Sequence, residues 1–546
     1  MIPKRNFIID PSKKTKISDT LSASFQGGRL QQFWEKWQIF PKTVAEWIRE
    51  GIPIHSEREK WIKIPMRSHF SDKEDLWLTR EIAELLRDDI IEIGSQDTVV
   101  NPIHVVPKKG KDQFRLILDL RTVNAGIEND SFKMDHIHKT LKFLSKGMFG
   151  IKIDLMKGYH HVPVRECDRK LLGFKYKGQI YQYKCLPFGL NIAPRLFSKI
   201  MKVLVQRWRA KGIMVFIYLD DILVVNHSKE QLISDRDIVL KDIEEFGFLI
   251  QKEKCVLDPT QFIEFLGIQL DFVNGLALMP EDKQNTALEF IEELLTMYKR
   301  RLFIPCKKVA KFLGKLEFLT IANKYLAPFM CRLRNSNRGW NASMLINKGA
   351  RKDLLILKYL IQKSEGREFE LDWKLPVQVN SDATPDGFGI HSENTVVVGF
   401  TGKEHINLRE LRALLIFFKQ AEELDLYPSE TSFELRVDNI TAMAYLRRGY
   451  GTKEDLSQIA REISMILMRN HWWISKVIYI PSEKNVLADK LSRLMDWGST
   501  QELIHLVNQE FGTHHVDRFA TTSSATTLQF NSWKENTRSE IYGKEN

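Results

Sequence analysis

Apolar positions along the chain recur with two periods, one helical and one strand-like, and the alternation of these periods predicts its elements. Between residues 76 and 93, Leu78, Ile82, Leu85 and Leu86 fall at helical spacing, and the pattern turns extended at residues 103–107. A basic turn, Lys108-Lys109-Gly110-Lys111-Asp112, then separates that strand from residues 114–120, which predicts a hairpin. Residues 149–155 alternate apolar and polar side chains and carry Asp154 near the end. A helix is expected at 193–208, with Phe197, Ile200, Met201 and Leu204 on one face. It leads into residues 216–225, an apolar run interrupted only by Asp220 and Asp221. Residues 262–270 read as one further strand, and 282–361 as mostly helical with a break at 335–341.

A second core follows. Residues 377–382 and 433–438 are alternating strands ending on Asp382 and Asp438, 395–400 is another strand, and helices at 407–419 and 485–494 carry Glu410 and Asp489. This order predicts an α/β sheet with carboxylates gathered at one end. Residues 1–70 hold Trp34, Trp37, Trp47 and Trp61 among basic side chains, which fits either a helical lead-in or a nucleic-acid contact surface. The last fifty or so residues are polar, nearly low-complexity at 520–527, and read as a loosely ordered tail.

Charge narrows the partners. Lys and Arg total 81 against 70 Asp and Glu, a formal charge of +11, which favours a polyanion such as nucleic acid. Cys167, Cys185, Cys255, Cys306 and Cys331 show no Cys-x-x-Cys spacing, so neither a zinc knuckle nor a disulfide framework is expected, and a reducing compartment fits. With no apolar signal core at the start and no run of about 20 apolar residues, the expectation is an intracellular protein without membrane association.

Two adjacent carboxylates inside an apolar hairpin need partners, because a buried charge is costly unless paired or metal-bound. An acidic surface turn is the bland alternative for Asp220 and Asp221. Asp154 adds a third acid on a strand end, and Lys108, Lys109 and Arg115 add a phosphate-binding face. Together they suit a Mg²⁺ site for phosphoryl transfer, in which two ions about 4 Å apart serve the attacking and leaving oxygens. No P-loop occurs, so a nucleotide is expected to be held by metal and basic side chains.

At this point the motifs 114–124, 153–155, 186–194, 218–221 and 265–267 resemble, in order, those of retroelement reverse transcriptases. The resemblance covers about residues 76–280 and implies an α+β right-hand polymerase with fingers, palm and thumb, whose palm carries Asp154, Asp220 and Asp221 as catalytic metal ligands. It also implies that Lys108 (or Lys109) and Arg115 grip the triphosphate and that Tyr159 blocks a ribose 2′-hydroxyl. Phe188 and Gly189 would pack on the nucleotide, and Phe265, Leu266 and Gly267 would hold the primer end.

Asp382, Glu410, Asp438 and Asp489 resemble the acids of a ribonuclease H-like α/β domain, each expected to serve as catalytic and metal ligand. Many such domains place a histidine before the last acid; here the approach is Tyr479-Ile480-Pro481-Ser482-Glu483-Lys484-Asn485, without one. Residues 407–411, 437–445, 480–493 and 511–520 look most like the DIRS group, which encodes a tyrosine recombinase.

The expected layout is an N-terminal extension (1–75), fingers and palm (76–280), a helical thumb and connection (281–370), a ribonuclease H-like domain (371–495) and a polar tail (496–546). The expected activity is RNA-directed DNA polymerisation with ribonuclease H cleavage. It would use two Mg²⁺ or Mn²⁺ ions per site, with RNA template, DNA primer, RNA-DNA hybrid and deoxynucleoside triphosphates as partners. A decayed copy that only binds hybrid is the alternative, against which the intact acids argue.

Overall fold

Strands Phe149–Asp154 (β1), Met214–Tyr218 (β2), Asp221–Asn226 (β3) and Val256–Thr260 (β4) form an antiparallel sheet in the order β4-β1-β3-β2. β3 is Val/Ile/Leu-rich because both its faces are covered, and Ile222 to Val225 are fully buried. Helices Ala193–Ala210 (α1) and Lys229–Glu245 (α2) flank β2 and β3 in sequence and pack on this sheet. α1 opens with Pro at its first turn, and α2 is capped by Ser228, whose hydroxyl accepts from the Gln231 N–H. The expected basic hairpin is present as Ile103–Pro107 paired with Phe114–Leu118.

The computed structural model describes residues 24–531, except 66–68, 108–113, 129–136, 337–338, 370–374, 401, 495–499, 512–514 and 523–524. It divides into two units, Met1–Gly275 and Leu276–Asn546. In the first, the N-terminal stretch is helical over Arg29–Phe33, Trp34–Trp37 and Lys42–Glu50. Trp37 is fully buried and donates its indole N–H to the Phe246 carbonyl at 3.1 Å, while Trp34, Trp47 and Trp61 pack against the same core. Trp37 belongs to the core, and the other three lie half-buried against it. The helix expected from residue 76 begins at Asp72, set by a capping box in which Ser71 and Glu74 satisfy each other's backbone N–H groups.

One expectation fails: residues 262–270 are not a single strand. Leu266 (φ 48°) and Gly267 (φ 72°) turn the chain back, so Phe262–Phe265 and Ile268–Asp271 pair as a hairpin. Left-handed φ at both turn residues is the signature of a tight hairpin, and an apolar period continuing through the turn conceals it.

In the second unit, Glu281–Lys299, Cys306–Leu319 and Lys348–Gln362 supply the expected helical stretch. Strands Val377–Ala383 (β5), Phe388–His391 (β6), Thr395–Gly399 (β7), Ser432–Val437 (β8) and Trp473–Tyr479 (β9) form a mixed sheet. β5 pairs antiparallel with β6 and parallel with β8, and β8 pairs parallel with β9. Helix Ile406–Glu423 (α3) packs on β5 and β6, and Val486–Ser492 (α4) on β5 and β6 as well.

The polar tail is a second correction. Thr500–Phe511 (α5) forms a helix, and His515–Thr521 (β10) with Ala525–Asn531 (β11) adds two strands beyond β7, making a seven-stranded sheet. Leu503 and Val507 join Val396, Val398, Leu491 and Leu528 in one apolar cluster. Thr-rich, β-branched sequence suits strands, and the edge of β7 supplies the pairing that composition could not reveal.

Candidate functional sites

Asp154 ends β1 and Asp221 begins β3, and the two are directly paired across the ladder. Side chains of such partners emerge about 5 Å apart. Asp220 occupies the two-residue turn between β2 and β3, and its carbonyl accepts from the Leu155 N–H at 3.0 Å. The turn begins at Leu219 with φ 55°, a conformation that favours glycine and costs a bulky residue about 1–3 kcal/mol. Thus the three sequence-predicted acids lie at one end of the sheet, although among the described residues their carboxylate oxygens do not gather within 4.8 Å of one another.

Their charges repel one another. Burial raises the Asp220 carboxyl above its ordinary range, as do the charges of Asp221 and Asp154; burial likewise raises Asp154, against the pull of Lys254. Two lysines that sequence reasoning missed neutralise part of this charge. Lys152 Nζ lies 2.9 Å from Asp221 Oδ1, and Lys254 Nζ 3.4 Å from Asp154 Oδ1. Lys152 stands two positions before Asp154 on the same strand face, a signal available from strand period but shared by any alternating strand.

Tyr159 lies in the short turn after β1, buried between Phe188 and Phe197 at centroid distances of 5.1 and 5.3 Å. Its hydroxyl is pushed up to about 12, by burial first and then by Asp220. Gly158 brings this turn against the acids: an added Cβ would stand 3.2 Å from Asp220 Cβ. Phe188 is exposed, and Gly189 (φ 103°) leaves no space for a side chain, since a Cβ would lie 2.5 Å from the Leu118 carbonyl oxygen. Asn124 pins this loop by donating to the Gly189 carbonyl at 2.8 Å and accepting from the Asn191 N–H at 3.0 Å. Arg115 is exposed on its hairpin strand; Lys108 and Lys109 lie outside the described residues. Of the 265–267 turn, Phe265 faces the core, leaving Leu266 and Gly267 partly accessible.

The second unit builds a tighter cluster. Parallel register pairs Ser381 with Val437, so the next residues, Asp382 and Asp438, leave the sheet side by side. α3 adds Glu410, and one carboxylate oxygen from each of the three lies within 4.8 Å of the others. Glu410 is 1% exposed, and its Oε2 has no hydrogen-bond partner. Burial, then Asp438 and Asp382, push its carboxyl well above the ordinary range. A buried carboxylate with one unpartnered oxygen, facing two others, fits a divalent cation with oxygen ligands. Two serines orient this cluster: Ser492 Oγ donates to Asp382 Oδ2 at 2.5 Å and Ser482 Oγ to Asp438 Oδ2 at 2.8 Å. Asp489, the fourth predicted acid, is not among the gathered carboxylates and is held instead by Arg493. Glu483 and Lys484 are exposed, and it is Ser482 of that loop that touches an acid.

Residues 106–270 match the family model described as reverse transcriptase (RNA-dependent DNA polymerase). The chain is 26% identical over 437 residues to the retrovirus-related Pol polyprotein from transposon gypsy of Drosophila melanogaster, a match covering 76% of this chain and 40% of that protein. It is 24% identical over 488 residues to the enzymatic polyprotein of cauliflower mosaic virus (strain CM-1841), covering 85% of this chain and 67% of the relative. The chain spans well under two thirds of the first of these. Among solved structures, the foamy viral protease-reverse transcriptase in complex with double-stranded DNA aligns with a TM-score of 0.51 at 16% identity, over 86% of this chain and all of that one. The same protein with RNA/DNA hybrid aligns at 0.50, over 86% and 64%. These likenesses show the right-hand polymerase fold.

Proposed function

We propose, from the premise that residues 106–270 carry a reverse transcriptase domain, that this chain copies RNA into DNA at its first acid site and cleaves the RNA strand of the hybrid at its second. The carrying observation is the pairing of Asp154 with Asp221 beside the Asp220 turn, with Gly158, the residue before Tyr159, packed against the same turn. Asp154, Asp220 and Asp221 would hold Mg²⁺ or Mn²⁺ in the first site, and Asp382, Glu410 and Asp438, with Asp489, in the second. Such ions stabilise charge on the attacking and leaving oxygens.

The protein's own part is positioning. Tyr159, clamped between two phenylalanines, is a rigid ring, which supports a role in discriminating against ribonucleotides. Arg115 supplies a guanidinium suited to the triphosphate, and the 266–267 turn a backbone ledge suited to the primer. The +11 charge suits the polyanionic template, primer and hybrid.

Asp220→Asn with Asp221→Asn is expected to abolish metal-dependent primer extension on RNA while hybrid binding persists; unchanged extension would refute the polymerase reading. Asp438→Asn is expected to abolish RNA-strand cleavage and spare extension, measured on a labelled hybrid. The finer grouping with DIRS elements is supported by the motifs at 407–411, 437–445 and 480–493, and a neighbouring tyrosine-recombinase reading frame would test it. An intracellular location is part of the same proposal.

A further inference from the structure

Asp489 and Arg493 stand four residues apart at the end of α4, so they share a helix face. Arg493 Nε and Nη2 both donate to Asp489 Oδ1, at 2.9 and 2.6 Å, a charge-assisted pair on a single oxygen. The guanidinium side chain is 65% exposed and the carboxylate 36%, so the pair is open to solvent. Between them, Ser492 is nearly fully buried, and its hydroxyl bonds both Asp382 and the Asp489 carbonyl. The segment therefore ties Asp382 of the inner cluster to the helix turn that carries Asp489.

We propose that Arg493 is a counter-cation reserved for Asp489, holding it out of the metal cluster until a hybrid phosphate draws the guanidinium away and frees the carboxylate for a second divalent ion. The inference rests on the metal-dependent nuclease reading above. It follows from charge and exposure. The three inner acids already form an oxygen cage with an unpartnered Glu410 oxygen, whereas Asp489 has its charge satisfied without metal. An exposed guanidinium fork is also the group best shaped to exchange a carboxylate for a phosphate. Ser492 stays on Asp382 during that exchange, so the inner site keeps its geometry.

The test is Mn²⁺ binding by electron paramagnetic resonance in the full chain carrying Asp154→Asn, Asp220→Asn and Asp221→Asn, which removes the palm acids from the count. Without nucleic acid, this chain is expected to bind one ion tightly in its second unit. Adding Arg493→Ala or Arg493→Gln should tighten a second ion by at least about tenfold, with Arg493→Lys intermediate. In the otherwise natural chain, Arg493→Ala should lower the Mn²⁺ concentration for half-maximal RNA cleavage and raise KM for hybrid several-fold. A purely structural role would raise the metal requirement, and an unchanged or weakened second ion overturns the proposal. If Asp438→Asn leaves Mn²⁺ binding unaltered, the metal reading beneath the proposal fails instead.

Discussion

At the residue scale, the palm acids are balanced by lysines that their own motif does not include. Lys152 is only 19% exposed and meets an Asp221 that is 26% exposed, so removing the ammonium leaves a half-buried carboxylate beside two others. Lys152→Met is expected to destabilise the metal-free protein by about 1–3 kcal/mol, the cost of an unsatisfied charged group. Mg²⁺ should restore more of this loss than it adds to the natural chain, read as melting shifts with and without the ion. Gly189 offers a separate test, since its φ of 103° and the Leu118 carbonyl both reject a side chain. Gly189→Ala should lower primer extension at least about tenfold through displacement of Phe188. The identities of Asp154, Asp220, Asp221 and Gly189 were legible in sequence. Lys152, Lys254, Ser482 and Ser492 were not, because nothing in a strand or loop pattern says which polar side chain crosses to which acid.

At the element scale, the turn Gly158–His161 is held by two buried imidazoles. His161 accepts from the Leu249 N–H at 3.0 Å and donates to the Gly158 carbonyl, which fixes it neutral. Burial lowers His160 to about 4 and His161 to about 3, below the ordinary histidine value of about 6.5. The unfolded chain therefore binds protons that the native turn refuses. Stability from these groups is full above pH 6.5 and declines as pH falls toward 4, at up to about 1.4 kcal/mol per pH unit for each histidine. His161→Gln should remove one histidine's share of that slope, measured by urea unfolding between pH 7 and 5.

The C-terminal elements make a second case. Burying Leu503 and Val507 contributes about 1.5–3 kcal/mol each, and they pack on Leu491 of α4, the helix that carries Asp489. Deleting residues 496–546 should impair RNA cleavage while sparing extension, assayed on one hybrid substrate. Sequence missed these elements because an edge strand takes its partner from elsewhere in the fold. The hairpin at 262–271 was missed because an apolar period survives a two-residue turn.

At the scale of the molecule, two units each carry an acid site at a sheet end, and the excess of cations over acids suits a polyanion. Neutralising several phosphates releases counterions, so binding to an RNA-DNA hybrid should weaken at least about tenfold between 50 and 200 mM NaCl. Fluorescence anisotropy on a labelled hybrid checks this, and salt-independent binding would remove charge as the main attraction.

What the sequence by itself determined was the order of elements and the acids on them: local period assigns strand or helix, and a charge in an apolar run marks a site. The tertiary structure alone decided which acids meet. Parallel register placed Asp382 beside Asp438, antiparallel register placed Asp154 opposite Asp221, and helix packing brought in Glu410. It also decided what holds them, since Lys152 and Ser492 depend on distances across strands and between elements. Period is a local property of the chain, whereas proximity between segments belongs to the packed core.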